Sequence, residues 1–297
     1  MAAKRLFDDD FLRRLQRLGT IAKRMPAASA ASGQRKSRRL GDGLEFADHR
    51  AYAPGDDIRF VDWPYFARME RLLLRLFHEH SEGAVSILLD CSASMDLGEL
   101  NKFDYARRTA AAMAYVAMAS LDRVRVLPFA AKLEEPFQTG RNRGQILAVL
   151  DFLQALPAGG KTSLEAAVQQ YARRFEQAGT VLILSDLLEV SEQLSPALAL
   201  LRSRREEVMV LHVADRLDSR PPLVGPSQIA SAETPGRMHV NVTEAVLRSY
   251  QQRWQEFVNG LERTCAGRGA VYIQAPTEQP FERLVLATLS KAGVLQA

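Results

Sequence analysis

Two patterns of apolar and polar positions divide this chain. From Ala84 onward, short continuous apolar runs alternate with segments whose apolar residues recur every three to four positions. Val85–Leu89, Arg125–Phe129, Val181–Leu184, Val208–Val213 and Val271–Gln274 read as strands buried on both faces, with Leu133–Phe137 as a further strand. Between them, Asn101–Leu121, Gln145–Leu156, Ser163–Phe175, Pro196–Arg205, Thr243–Cys265 and Phe281–Lys291 read as helices. Repeated strand-then-helix units predict an α/β fold with a mostly parallel central sheet and helices on both faces. Residues 218–242 interrupt the alternation. They are rich in Pro, Gly and Ser and end on alternating Met238, Val240 and Val242, which predicts a hairpin insertion.

The first 81 residues look different. Phe11, Leu12, Leu15, Leu18 and Ile21 predict a short amphipathic helix between Asp10 and Arg24, and the Ser/Ala-rich run after Pro26 predicts a linker. The run Arg35–Arg39 is a basic cluster. Residues 41–68 are dense in polar and aromatic side chains, with a turn at Pro54-Gly55-Asp56-Asp57 and a helix-like stretch through Trp63 and Phe66. Period-two alternation over Arg71–His80 predicts a half-buried strand. The division that follows is a basic arm over 1–32, a separate segment over 33–81 and the main α/β domain over 82–297.

Composition narrows the class. At 297 residues, with 47% hydrophobic and 25% charged positions, the chain can bury a large core and is neither fibrous nor wholly disordered. Two cysteines, Cys91 and Cys265, exclude a disulfide scaffold and suit a reducing compartment. The longest apolar run, Ala110 to Ala119, is too short to span a bilayer, and MAAKRLFDDD has no apolar leader segment, so a soluble cytoplasmic protein without a signal peptide is expected. The net charge of +4 conceals an asymmetry: residues 1–40 carry 11 Lys/Arg against 3 Asp, leaving 28 basic and 32 acidic residues in the remainder. Such an arm could meet nucleic acid, anionic lipid or an acidic protein, but the favoured reading is a solvated arm that keeps the protein soluble.

Ligands of open α/β sheets bind at the carboxyl ends of the strands. There the sequence places Asp90-x-Ser92-x-Ser94 after one strand, Ser185-Asp186 after another, and Gly159-Gly160-Lys161-Thr162-Ser163 opening a helix. Taken singly, each residue also suits a turn or helix cap. Together Asp90, Ser92, Ser94, Thr162 and Asp186 form an all-oxygen set suited to a hard cation, Mg²⁺ before Ca²⁺. The expectation is that Asp90 and Asp186 end adjacent parallel strands with Thr162 within reach of both. Two carboxylates would cancel a divalent charge, and an acidic residue of a partner would take the remaining coordination position.

These residues resemble a known constellation. Asp90-Cys91-Ser92-Ala93-Ser94, Thr162 and Asp186 are similar, in type and order, to the metal-ion-dependent adhesion site of von Willebrand factor A domains. Upstream, Glu45-Phe46-Ala47-Asp48-His49-Arg50, Tyr52, Pro54-Gly55-Asp56-Asp57-Ile58-Arg59 and Val61-Asp62-Trp63, then Ala67-Arg68, resemble the bacterial family called domain of unknown function 58. The resemblance runs from about Gly33 to near the C-terminus. It implies a von Willebrand A-like fold, a non-enzymatic metal-dependent protein-binding (adaptor) role, and a partnership with a MoxR-type AAA+ ATPase in chaperone-like maturation of protein complexes. Lys161 departs from the pattern and puts a positive charge beside the site. Membrane helices found in some relatives do not carry over to this sequence.

Other readings compete. The same ion could serve a phosphoesterase-like hydrolase, but no general base or second metal set accompanies the loops. Nucleic-acid binding would rest on the basic arm alone, and none is expected. The stretch from Ala155 to Thr162 lacks the first glycine of a P-loop and follows a helix where that motif follows a strand. His78 and His80 lack a third ligand for zinc, no G-x-S-x-G occurs, and Cys91 reads as a small core residue. The charged residues of 48–68 read as an ion-paired structural plug, with Tyr52, Trp63 and Phe66 packing against the sheet domain.

Overall fold

The computed structural model of the chain describes residues 6–22, 35–41, 45–54, 56–81, 84–120, 122–140, 143–176, 178–233 and 236–294. The linker expected after Pro26 lies outside these residues.

Six strands form the central sheet. In chain order they are β4 (Ala84–Asp90), β5 (Arg123–Phe129), β6 (Phe137–Gln138), β7 (Thr180–Ser185), β8 (Glu207–Ala214) and β11 (Val271–Pro276). Their spatial order is β11-β8-β7-β4-β5-β6, with all pairings parallel except that of β6 to β5. The sheet reverses its winding beside β4, so the loops leaving β4 and β7 stand next to each other at the crevice where doubly wound sheets take ligands. The expected α/β architecture is therefore the observed one. The strand expected over Leu133–Phe137 is reduced to Phe137–Gln138, with Leu133 making one bridge to Phe129.

Helices cover both faces because the central strands are apolar on both. Ile87 and Leu89 of β4 point into a core shared with α3 (Lys102–Ala119), α4 (Ile146–Ala155) and α9 (Phe281–Val294). Leu88 points the other way, into a core shared with α5 (Leu164–Arg174), α6 (Ser191–Ser203) and α8 (Glu244–Gly267). The alanine-rich face of α3 lets that helix lie close on the sheet. Helix α6 begins five residues before Pro196, the expected first residue.

Helix α1 (Asp9–Ala22) is an integral part of the core. Phe11, Leu15 and Leu18 are buried in the first core layer, and Arg14 forms an ion pair with Glu282 of α9. Leu18→Ala should therefore destabilise the whole domain by about 2–5 kcal/mol, the usual range for emptying a leucine site. Chemical denaturation checks this, and a change below ~0.5 kcal/mol would mean that α1 docks only loosely.

Residues 35–81 build a separate antiparallel sheet of β1 (Arg35–Gly41), β2 (Glu45–Ala51) and β3 (Leu73–Ser81), in the order β1-β3-β2. Between β2 and β3 lies α2 (Trp63–Met69), capped by the Asp62 side chain. The expected ion pairing is present: Arg50 with Asp56, Arg59 with Asp57 and His49 with Asp62. The expected packing is not. Trp63 and Phe66 are 54% and 37% exposed and meet each other edge to face, while Val61 and Leu74 are buried apolar residues among those described in this segment. Several of its charged groups pair within residues 49–62, while Trp63 and Phe66 stay exposed. The hairpin insertion is β9 (Gly225–Ala230) with β10 (Arg237–Val242), following the short helix α7 (Arg216–Ser219).

Candidate functional site

Asp90 is the last residue of β4, and the chain turns there into a 3₁₀ turn over Ala93–Asp96. Backbone hydrogen bonds fasten this turn to the threonine loop. Gly159 N–H donates to the Cys91 carbonyl (2.8 Å), and Ala93 N–H donates to the Gly160 carbonyl (3.0 Å). Gly160 has a φ of +79°, a conformation that a glycine adopts without strain. The loop continues to Ser163, which caps α5 through its hydroxyl. Thr162 is thereby held against Asp90.

The Asp90 carboxylate is fully buried and is surrounded by neutral donors. Its Oδ2 accepts from the hydroxyls of Ser185 (2.5 Å) and Thr162 (3.4 Å), and its Oδ1 accepts from Ser92 N–H (2.9 Å). The Ser92 and Ser94 hydroxyl oxygens are 3.2 Å apart. Burial, opposed by the Ser185 hydrogen bond and reinforced by the charge of Asp186, pushes the Asp90 pKa up to about 6. Cys91 beside it is buried, and its thiol is pushed up to about 12, which leaves it un-ionised as a core residue.

Asp186 follows β7, which pairs with β4 in parallel, so the two aspartates do end adjacent strands as expected. The Asp186 carboxylate, however, serves a partner that its local sequence does not announce. The Lys102 ammonium, 1% exposed at the start of α3, donates to Asp186 Oδ2 (2.8 Å) and to Asp218 Oδ1 (3.2 Å). Burial works against the charge of Lys102, but the two carboxylates more than offset it and hold its pKa above the usual lysine value. Burial raises Asp218 despite the ammonium beside it. Asp186 Oδ1 accepts from Leu188 N–H (3.3 Å). Thr162 thus reaches Asp90, whereas Asp186 is turned toward Lys102.

The structure therefore gathers Asp90, Ser92, Ser94 and Thr162 closely and sets Asp186 beside them. Ser185, which the sequence places with Asp186 at a strand end, joins the group through its hydroxyl on Asp90. Lys102 and Asp218, with Glu233 on Thr162 N–H, join it without a local sequence signal. The Lys102 ammonium is shared by Asp186 and Asp218, which leaves Asp90 without a cationic hydrogen-bond partner among the described residues. Among the described residues, no three carboxylate, imidazole or thiol side chains surround one point. The donors at Asp90 are mostly hydroxyls, a set that fits a hard, partly hydrated ion such as Mg²⁺ and does not fit zinc.

A cleft of about 350 Å³ opens nearby at the ends of β8 and β11, lined by His212, Arg216, Arg220, Trp254 and Gln274 among others. No residue of the Asp90, Thr162 or Asp186 loops lines it. His212 there is hydrogen-bonded to the Tyr272 hydroxyl (2.7 Å), and burial pushes its pKa down to about 4, far from the match to working pH that a general base needs.

A doubly wound α/β domain with a carboxylate–hydroxyl cluster at its switch point defines the class of protein. The chain belongs to the family described as protein of unknown function DUF58, whose model matches residues 48–257. Uncharacterised proteins of Mycobacterium tuberculosis and Mycobacterium bovis are 28% identical to it over 246 residues, covering 81% of this chain and 77% of theirs. Among solved structures, it is similar to the conserved hypothetical protein BatB from Bacteroides thetaiotaomicron (14% identity, 70% of this chain and 99% of that one, TM-score 0.44). It is also similar to the SpRpn10 VWA domain (13% identity, 69% and 94%, TM-score 0.39). Among the described residues, no helix is long and apolar enough to cross a membrane.

Proposed function

We propose that this chain is a divalent-cation-dependent protein-binding module that grips an acidic residue of its partner. One observation carries the reading: Asp90 is fully buried, ends its strand among hydroxyls, and among the described residues is hydrogen-bonded only by neutral groups. Leaving a carboxylate dry and without a counter-charge costs free energy, and a site that must take up a cation has a reason to carry that cost. Asp90, Ser92, Ser94 and Thr162 are the residues that would hold Mg²⁺, with Asp186 contributing from beside them. When bound, the ion supplies an electrophilic position for a carboxylate. Three exposed leucines flank these loops, Leu97 and Leu100 after the 3₁₀ turn and Leu188 after Asp186, and they give a protein partner apolar surface around the charged centre.

The partner we propose is a MoxR-type AAA+ ATPase, and the setting is the cytoplasm, where two free buried cysteines are at ease. The test uses the purified full chain and such an ATPase from the same genome. Binding is measured in Mg²⁺, in EDTA and with Asp90→Ala. The expected result is that EDTA and Asp90→Ala each weaken binding at least tenfold while the variant stays folded. Thr162→Ala should weaken it less, because water can replace a neutral hydroxyl. Binding indifferent to both EDTA and Asp90→Ala would contradict the proposal and shift attention to the exposed Trp63–Phe66 face.

A further inference from the structure

Glu233 lies past the end of β9, at the far end of the hairpin insertion, 71 residues from Thr162. It nevertheless reaches the site. Thr162 N–H donates to Glu233 Oε2 at 3.0 Å, while the Thr162 hydroxyl donates to Asp90 Oδ2. One residue therefore joins two carboxylates through two different donors. The other oxygen of Glu233, Oε1, is shielded from solvent and has no hydrogen-bond partner among the described residues. An acid brought toward a second buried acid, with one oxygen left unsatisfied, is an arrangement that a cation between them would resolve.

The rest of the hairpin supplies little apolar anchorage. Val224, Ile229 and Met238 are 85%, 43% and 65% exposed, and Val242 at its base is the buried apolar residue. The Glu233 contact is thus a tether for the outer end of a ribbon that has few other reasons to stay down.

We propose that Glu233 occupies, from within the chain, the position that a partner's acidic residue would take, so that the β9–β10 hairpin is a built-in competitor covering the site. This rests on the carboxylate-binding reading above. It adds that the resting protein is self-occupied, and that a partner must displace Glu233 and lift the hairpin end.

Three measurements on the full chain test it, comparing the wild type with Glu233→Ala. Amide hydrogen exchange at Thr162 reads the contact, calorimetric titration with Mg²⁺ reads the cation site, and a short polyglutamate peptide in Mg²⁺ serves as the acidic probe. The expected result is exchange at Thr162 at least tenfold faster in Glu233→Ala, and peptide affinity at least tenfold higher. Unchanged exchange overturns the contact. Equal peptide affinity, including no binding by either protein, overturns the competitor role. The Mg²⁺ titration separates that failure from the failure of the cation reading: if neither protein binds Mg²⁺, the cation site itself is refuted, whatever the hairpin does.

Discussion

Asp90→Asn is expected to make the metal-free protein more stable at neutral pH. Asp90 is fully buried, and burial raises its pKa from 3.8 to about 6. The folded carboxyl group therefore holds its proton more tightly than the unfolded one. With the carboxyl protonated in both states below about pH 4 the side chain costs nothing there, and stability is lost as pH rises toward and through about 6. A tenfold change in proton affinity corresponds to about 1.4 kcal/mol, so at pH 7 the ionised side chain opposes folding by about 3 kcal/mol. Asn removes the charge and keeps an oxygen for Ser92 N–H, and the Ser185 hydroxyl can turn to accept from the new amide. A net gain of about 1–2 kcal/mol is expected in EDTA, absent at pH 3.5, growing up to about pH 6 and level above it. His212 titrates in the opposite direction over a similar range, but both proteins carry it, so the difference between them isolates Asp90. Denaturant unfolding at several pH values checks the profile. A wild type that is more stable than Asp90→Asn at pH 7 in EDTA would contradict it.

Lys102→Met should be the most damaging single change near the site. The ammonium is 1% exposed and lies between Asp186 and Asp218, so its removal leaves two carboxylates without their shared counter-charge. Breaking a buried ion pair from one side costs about 3–5 kcal/mol, most of it the penalty of the orphaned charge. The double variant Lys102→Met/Asp186→Asn should recover about half of that loss, since it removes the nearer and more deeply buried of the two acids. Recovery on adding the second substitution separates an electrostatic cause from simple loss of packing. A cost under ~1 kcal/mol, or a double variant less stable than the single, would show that the Lys102 ammonium does not carry this charge balance.

The parts of the fold legible in the sequence are those in which local pattern and final environment agree. Ile87–Leu89 and Val181–Leu184 are continuous apolar runs because both faces of a central parallel strand are covered, and they lie in β4 and β7. Asp90, Ser92, Ser94 and Thr162 are legible because they sit in short loops at strand ends, where residue type and spacing survive folding. Strand β1 is not. Arg35–Gly41 has no apolar alternation, and its place in a sheet comes from pairing with β3, far away in sequence. Trp63 reads as a core residue by chemistry alone, whereas in the fold its ring is exposed and meets Phe66 edge to face. Lys102, Asp218 and Glu233 carry no local signal. Lys102 is 84 residues from Asp186 and 116 from Asp218, and Glu233 is 71 from Thr162, so only the closed sheet and the folded hairpin bring them together.

The most direct measurement of the central claim is calorimetric titration of the EDTA-stripped full chain with Mg²⁺, run on the wild type and on Asp90→Asn. The site at Asp90, Ser92, Ser94 and Thr162 predicts one ion per chain for the wild type, none for the variant, and a matching reversal of stability. Saturating Mg²⁺ should raise the wild type above the variant that outranks it in EDTA, since binding to the folded state alone adds about 2.7 kcal/mol at one hundred times the dissociation constant. A wild type that takes up no Mg²⁺, or an Asp90→Asn protein that takes it up equally well, would contradict the account.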